Sequence, residues 1–181
     1  MGNLSGTTIG VVGIGGMGRP IIRRFLDHKV QIFAYHIRPA IRYEIARMGI
    51  SLTASLSDLA AKMSGQPVFL FLDPTEMPEV MEGDDGLLKN LAAETLIVDM
   101  STTSVTDTKH YAKLARARGG DWIDIPARGN DEEAIEGKLK LSAGGNQKNL
   151  STVKPLLDLV SKDIKLEGDI GSGQSAALAP S

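Results

Sequence analysis

The residues with the clearest chemistry are glycines. Gly13-Ile14-Gly15-Gly16-Met17-Gly18 places three of them in the spacing GxGxxG. The run follows a short, β-branched apolar stretch at residues 7–13. It opens onto a segment with Ile21, Ile22, Phe25 and Leu26 on one helical face. A strand, glycine turn and helix in that order can hold the pyrophosphate of a dinucleotide. Gly13 permits the tight turn, Gly15 lets the backbone approach phosphate without a Cβ, and Gly18 lets helix and strand pack closely. The helix N-terminus adds unpaired N–H groups and a partial positive charge. The plainer reading is a tight strand-to-helix turn with no ligand.

A second group of candidates stands where the next strand should end, about 20 residues past the motif, beside an adenosine ribose. An NAD site usually has Asp or Glu there. This chain has Tyr35-His36-Ile37-Arg38. With no carboxylate in that stretch, Arg38 and nearby Arg42 can meet a 2′-phosphate, which favours NADP(H) over NAD(H). The plainer reading of Arg38 is a surface charge before Pro39.

Other chemistries are disfavoured. There is no Cys, so disulfides and thiolate metal sites are excluded. The three histidines, His28, His36 and His110, do not share i, i+4 spacing, and no metal site is expected. A net charge of −2 gives no field for nucleic acid or an anionic membrane. The first apolar run, residues 9–14, is too short to span a bilayer and lacks the flanks of a signal peptide. A cytoplasmic protein is expected.

Positioning these residues requires a regular scaffold, and the apolar pattern supplies one. Strands are expected at 7–13, 30–35, 50–53, 67–72, 95–99, 122–125, 139–143 and 164–166. Helices are expected between them. Ile41, Ile45 and Met48 mark one, 57–63 another with Ser55 or Ser57 as cap, and 76–82 a third. Ser104 can cap a long helix carrying Val105, Tyr111 and Leu114. Leu150, Val153, Leu157 and Val160 mark the last. This alternation predicts an α/β fold: a doubly wound, mostly parallel Rossmann-type sheet with helices on both faces. Ligands of such sheets bind beyond the strand C-termini. The glycine-rich stretch 168–173 is the best boundary, and 174–179 can begin a helix.

Five ordered segments resemble the β-hydroxyacid dehydrogenase family, which includes 3-hydroxyisobutyrate dehydrogenases and the nucleotide domain of 6-phosphogluconate dehydrogenase. Residues 9–20, with Met17 and Pro20, are similar to its opening signature. Residues 80–88 resemble its "EGxDGLL" segment, and 97–104 its "VVDMSTTS" segment. Asp124-Ile125-Pro126 stands at "DAP", and Gly171-Ser172-Gly173-Gln174 at "GxGQ". The resemblance implies that Gly13, Ile14, Gly15, Gly16, Met17 and Gly18 hold the pyrophosphate. It implies that His36, Ile37 and Arg38 flank the adenosine. Leu72, Asp73 and Pro74 would line the cofactor's middle, although Asp73 departs from the family's "LP". Thr102 would approach the nicotinamide.

The departures concern catalysis. The family's substrate-orienting Ser after "DAP" is replaced by Arg128. Its acid/base Lys is replaced by Ala177, and its substrate-holding Asn by Pro180. Ala has no titratable group, so none of the family's catalytic positions is intact. The family continues into an all-helical substrate and dimerisation domain. The expectation for this chain is therefore a nucleotide-binding domain at 1–168 and the stub of an interdomain helix at 169–181, without that further domain.

Three functions stay open at this point. The chain can be a cofactor-holding or sensing module that has lost catalysis. It can be an NADP(H)-dependent oxidoreductase on a small hydroxyacid, semialdehyde or imine, since relatives that reduce imines also lack the Lys. Asp124, Tyr111 or Arg128 would then act instead. Their plainer roles are a strand-end turn residue, helix core, and a pair with Glu132 or Glu133. Finally, it can be an assembly module that meets a second copy or a protein partner through the exposed C-terminal helix stub.

Overall fold

The computed structural model describes residues 4–180. Residues 1–3 and Ser181, the ends of the two expected segments, lie outside the described residues.

The chain alternates strand and helix almost throughout. In order the elements are β1 (Thr8–Val12), α1 (Gly15–Asp27), β2 (Gln31–Tyr35), α2 (Pro39–Arg47), β3 (Ser51–Leu52) and α3 (Leu56–Lys62). Then follow β4 (Val68–Leu70), α4 (Met77–Glu82), α5 (Leu87–Asn90), β5 (Leu96–Asp99), α6 (Val105–Ala117) and β6 (Asp121–Asp124). The last are α7 (Asp131–Glu136), β7 (Leu139–Gly144), α8 (Gln147–Leu157), β8 (Ser161–Gly168) and α9 (Ser172–Leu178).

The strands form one sheet in the order β3-β2-β1-β4-β5-β6-β7-β8. All neighbours run parallel except β6 and β7, which are antiparallel. From β1 the chain winds outward through β2 and β3. It then returns past β1 to β4 and winds the other way. Gly10, Val11 and Val12 pair with Val68, Phe69 and Leu70 across that reversal. The crevice beyond the C-termini of β1 and β4 is where a doubly wound sheet binds its ligand.

The sheet is covered on both faces, as its near-continuous apolar strands require. One apolar layer joins Ile9 and Val11 to Ile21, Ile22 and Phe25 of α1, Ile45 of α2, Ala134 of α7 and Val153 of α8. The other joins Val12 to Leu59 of α3, Val80 of α4, Leu87 of α5 and Tyr111 of α6. Phe25 meets Phe69 edge to face at 5.5 Å.

Side-chain caps open four of the nine helices among the described residues. Ser55 accepts from Asp58 N, Ser104 from Asp107 N, and Asn146 from Asn149 N. Asn130 and Glu133 form a reciprocal capping box, and Gly137 ends α7 at φ 70°. α1 is among the helices without one, since Ile14 offers it no side-chain cap. A missing cap costs about 1 kcal/mol. Ile21, Ile22 and Phe25 are fully buried, and each such side chain contributes roughly 1.5–3 kcal/mol. The buried face therefore outweighs the open end.

Several elements differ from the sequence reading. α5 and α7 were not expected. β3 is only two residues long. α8 stops at Leu157, so Val160 sits in the turn before β8, still buried. Spacing alone does not separate a final helical residue from a buried turn residue.

Candidate functional site

The glycine turn follows β1 and crosses directly over the end of β4. A Cβ on Gly13, at φ +76°, would lie 2.4 Å from the Phe71 carbonyl oxygen. One on Gly15, at φ +29°, would lie 3.0 Å from the same oxygen. A Cβ on Gly18 would meet the Phe71 side chain at 3.0 Å, whereas one on Gly16 meets nothing. Gly13 and Gly18 are thus required by packing, and Gly16 faces open space.

The turn, residues 71–74 after β4, residues 100–102 after β5, and Ala127 enclose a cleft of about 370 Å³. The structure thereby brings Gly15, Gly16, Met17, Gly18, Leu72, Asp73, Pro74 and Thr102 together. Gly13 and Ile14 underlie the turn, where the Gly13 N–H donates to the Tyr35 carbonyl at 3.1 Å. Asp73 is turned to its own loop and accepts from the N–H and hydroxyl of Thr75. Those bonds hold its carboxyl below the usual range.

His36, Ile37 and Arg38 lie at the end of β2, beside Val12 through Tyr35. They border the glycine turn without lining the cleft between β4 and β5. His36 is buried and its Nδ1 accepts from the Arg38 N–H at 3.0 Å. Burial lowers its pKa; Glu76 opposes this, and Arg38, Arg42 and Arg19 reinforce it. Arg42 donates to the His36 carbonyl and the Tyr35 hydroxyl, and lies 4.6 Å over the Tyr35 ring. Arg38 pairs with Glu76 at 2.9 Å. The sequence reading found no acid at the end of β2, and Glu76 comes from a distant loop, so its spacing carried no signal.

The opposite wall rests on a buried polar assembly. Asp99 is fully buried, and one carboxylate oxygen accepts from the Ser101 N–H at 3.0 Å. The other oxygen has no partner. Burial pushes the Asp99 carboxyl up to about 7. Asp124 pairs with Asp99 across β5 and β6. Its two oxygens accept from Gly171 N and Gln174 N at 2.7 and 2.9 Å, and burial pushes it up as well. Neither Gln174 nor Asp99 was picked out as a site residue.

The alternative acid/base candidates fall apart in space. Asp124 is committed to α9, and Tyr111 is buried against Trp122. Neither lines the cleft. Arg128 follows the lining residue Ala127, and its guanidinium donates to the Ala177 carbonyl. It does not take the plainer role of a pair with Glu132 or Glu133; Glu133 is held instead in the α7 capping box. Ala177 lies in α9, and Pro180 is exposed beyond its end. A larger groove of about 910 Å³ runs between α6 and the start of α9 and shares no residue with the glycine cleft.

The donor set suits an anionic ligand. The first turn of α1 has no acidic residue and no side-chain cap, and Gly16 leaves room above it. Such an end offers free N–H groups to phosphate. Among the described residues no group of three His, Cys, Asp or Glu can hold a metal. No helix among them is long and apolar enough to cross a membrane.

Residues 8–168 match the NAD binding domain of 6-phosphogluconate dehydrogenase. The chain belongs to this family. It is 32% identical over 174 residues to the 2-hydroxy-3-oxopropionate reductase of Escherichia coli K12, covering 94% of this chain and 58% of that one. It is 30% identical to the 2-(hydroxymethyl)glutarate dehydrogenase of Eubacterium barkeri, covering 94% and 56%. Among solved structures, the Mycobacterium tuberculosis 3-hydroxyisobutyrate dehydrogenase with L-serine superimposes with a TM-score of 0.83 at 27% identity, covering 94% and 57%. An imine reductase from Myxococcus stipitatus with NADP+ shares the fold, with a TM-score of 0.80 at 19% identity, covering 94% and 58%. This NAD(P)-binding Rossmann domain spans a little over half the length of these relatives.

Proposed function

We propose that this domain holds NADP(H) in preference to NAD(H) and has lost the family's own proton-transfer chemistry. The observation that carries the reading is an intact glycine cleft beside Ala177, which stands where the family resemblance puts its acid/base Lys. The glycine turn and the first turn of α1 would take the pyrophosphate. Arg38 and Arg42 would take the 2′-phosphate, with Arg38 leaving Glu76 to do so. Leu72 and Pro74 would line the middle, and Thr102 the nicotinamide end. A bound nicotinamide supplies or accepts a hydride. Without a residue to move the accompanying proton, the rate falls by about 10²–10⁴-fold. Residues 169–181 are read as the start of an interdomain helix, and a cytoplasmic setting is compatible with the cysteine-free composition. Titration with NADPH and NADH tests the reading, with saturation by NADPH at lower concentration expected. No saturable binding of either below millimolar concentration would sink it.

A second reading has one observation in its favour. The Arg128 guanidinium reaches Ala177, so a cation stands near the lost Lys position. Arginine does not release a proton near neutral pH, but it can polarise a carbonyl or imine. NADPH oxidation with a panel of semialdehydes and imines tests this, and a flat absorbance trace across the panel counts against it. The exposed Leu178 at the end of α9 supports a protein contact there, which light scattering of the chain would reveal as self-association.

A further inference from the structure

Gln174 is wholly buried, and both ends of its side-chain amide are used. Its Nε2 donates to the Ser101 carbonyl at 2.8 Å, and its Oε1 accepts from the Thr103 N–H at 3.2 Å. These two backbone groups flank Thr102, which lines the cleft. The amide therefore spans the turn that carries Thr102, as a backbone strand would.

The clamp is fixed at both ends. On the α9 side, the Gln174 N–H donates to Asp124 at 2.9 Å. On the cleft side, the Ser101 N–H donates to Asp99. The Ser101 hydroxyl accepts from Leu72 N at 2.9 Å, so the same assembly reaches the loop that lines the cleft's middle. Thr103 is further tied to Thr108 at 2.9 Å. A turn held only by its own backbone would sample other shapes. This one has its carbonyl and N–H partners supplied by a residue more than 70 positions away.

We infer that Gln174 is a positioning residue for the nicotinamide half of the cleft, coupling the first turn of α9 to the Thr102 turn. The inference rests on the dinucleotide reading above and adds to it a division of labour. The glycine turn and the residues after β2 hold one half of the ligand. The α9 clamp shapes the wall for the other half. Removing the amide leaves a buried carbonyl and a buried N–H unpaired, and the turn must move to satisfy them.

The test uses the reduced dinucleotide that the wild-type chain binds more tightly, and the matching ADP-ribose fragment without nicotinamide. Gln174→Leu should weaken the dinucleotide about tenfold and the fragment less than twofold. Equal weakening of both ligands would show a general structural role and overturn the inference, as would no weakening of either. A wild-type chain that binds neither ligand ends the dinucleotide reading and this inference with it. Wild-type binding that Gln174→Leu leaves unchanged ends this inference alone. If Gln174→Leu does not fold, hydrogen exchange on the wild type decides. The Thr103 amide should exchange as slowly as the amides of β5, and exchange at the rate of exposed loops would contradict the clamp.

Discussion

The N-terminus of α1 and the N-terminus of α9 carry the same kind of partial positive charge and resolve it in opposite ways. Neither receives a hydrogen bond from its own capping residue. At α9 the fold supplies the anion itself, since Asp124 places one carboxylate oxygen on Gly171 N and the other on Gln174 N. At α1 no carboxylate of the first turn approaches, and the glycine turn keeps side chains away. One end is filled because it must hold two loops together in the interior. The other is left open at the mouth of a cleft. An uncapped start is not distinctive by itself, since α2, α4 and α5 also lack a side-chain cap. α1 stands apart because its glycine turn opens onto the cleft, whereas Asp124 closes the start of α9.

Breaking the filled end should have the largest effect. Asp124→Ala leaves two buried N–H groups unpaired and should cost about 3 kcal/mol, read as a fall in the urea midpoint without a change in slope. Blocking the open end should act on binding instead. Gly15→Asp sets a carboxylate where the pyrophosphate would lie, and should weaken dinucleotide on the order of 100-fold, about 2.7 kcal/mol. Its stability should also drop, by about 1–2 kcal/mol, because a side chain at φ +29° is strained and its Cβ meets the Phe71 carbonyl oxygen at 3.0 Å. If the two substitutions exchanged their effects, the contrast between the helix ends would be wrong.

The contrast also explains what was legible in the sequence. The glycine turn could be read because its chemistry is local: strand, turn and helix are contiguous, and the spacing itself encodes the close approach to Phe71. The doubly wound sheet could be read from apolar runs, and the Ser104 cap from one residue type at one place. The filled end could not. Asp124 meets Gly171 and Gln174 across 47 and 50 positions, and nothing in its neighbours says where its carboxylate points. Glu76 beside Arg38 was hidden for the same reason. α7 was a different failure, since Asn130 and Glu133 have capping-box spacing, but Glu133 was read as a partner for Arg128. The reversed direction of β7 leaves no trace in an apolar pattern, which records burial and period but not strand sense.

Two smaller effects sharpen the picture. Arg38→Ala should cost about tenfold in NADPH affinity, about 1.4 kcal/mol, with little change for NADH. Glu76→Gln should act the other way, because it frees Arg38 from its ion pair. Equal losses for both nucleotides in Arg38→Ala would remove the case for a 2′-phosphate site. The smallest effect concerns pH. Burial raises Asp99 to about 7, above its unfolded value, so the folded state binds more protons between roughly pH 4 and 7. This carboxyl therefore favours folding below that window, and its contribution declines as pH rises through it, by at most about 1.4 kcal/mol per unit. Asp99→Asn should remove that slope, seen as a Tm difference from wild type that shifts in the variant's favour from pH 4 to 7 and then levels. A difference independent of pH would mean that Asp99 ionises at an ordinary value.

The open end of α1 is tested most directly by calorimetric titration of the wild-type chain and Gly15→Asp with NADPH and NADH. The account predicts saturable binding to wild type, tighter for NADPH, and its loss in the variant. Binding that survives Gly15→Asp, or none to wild type below millimolar concentration, would contradict it.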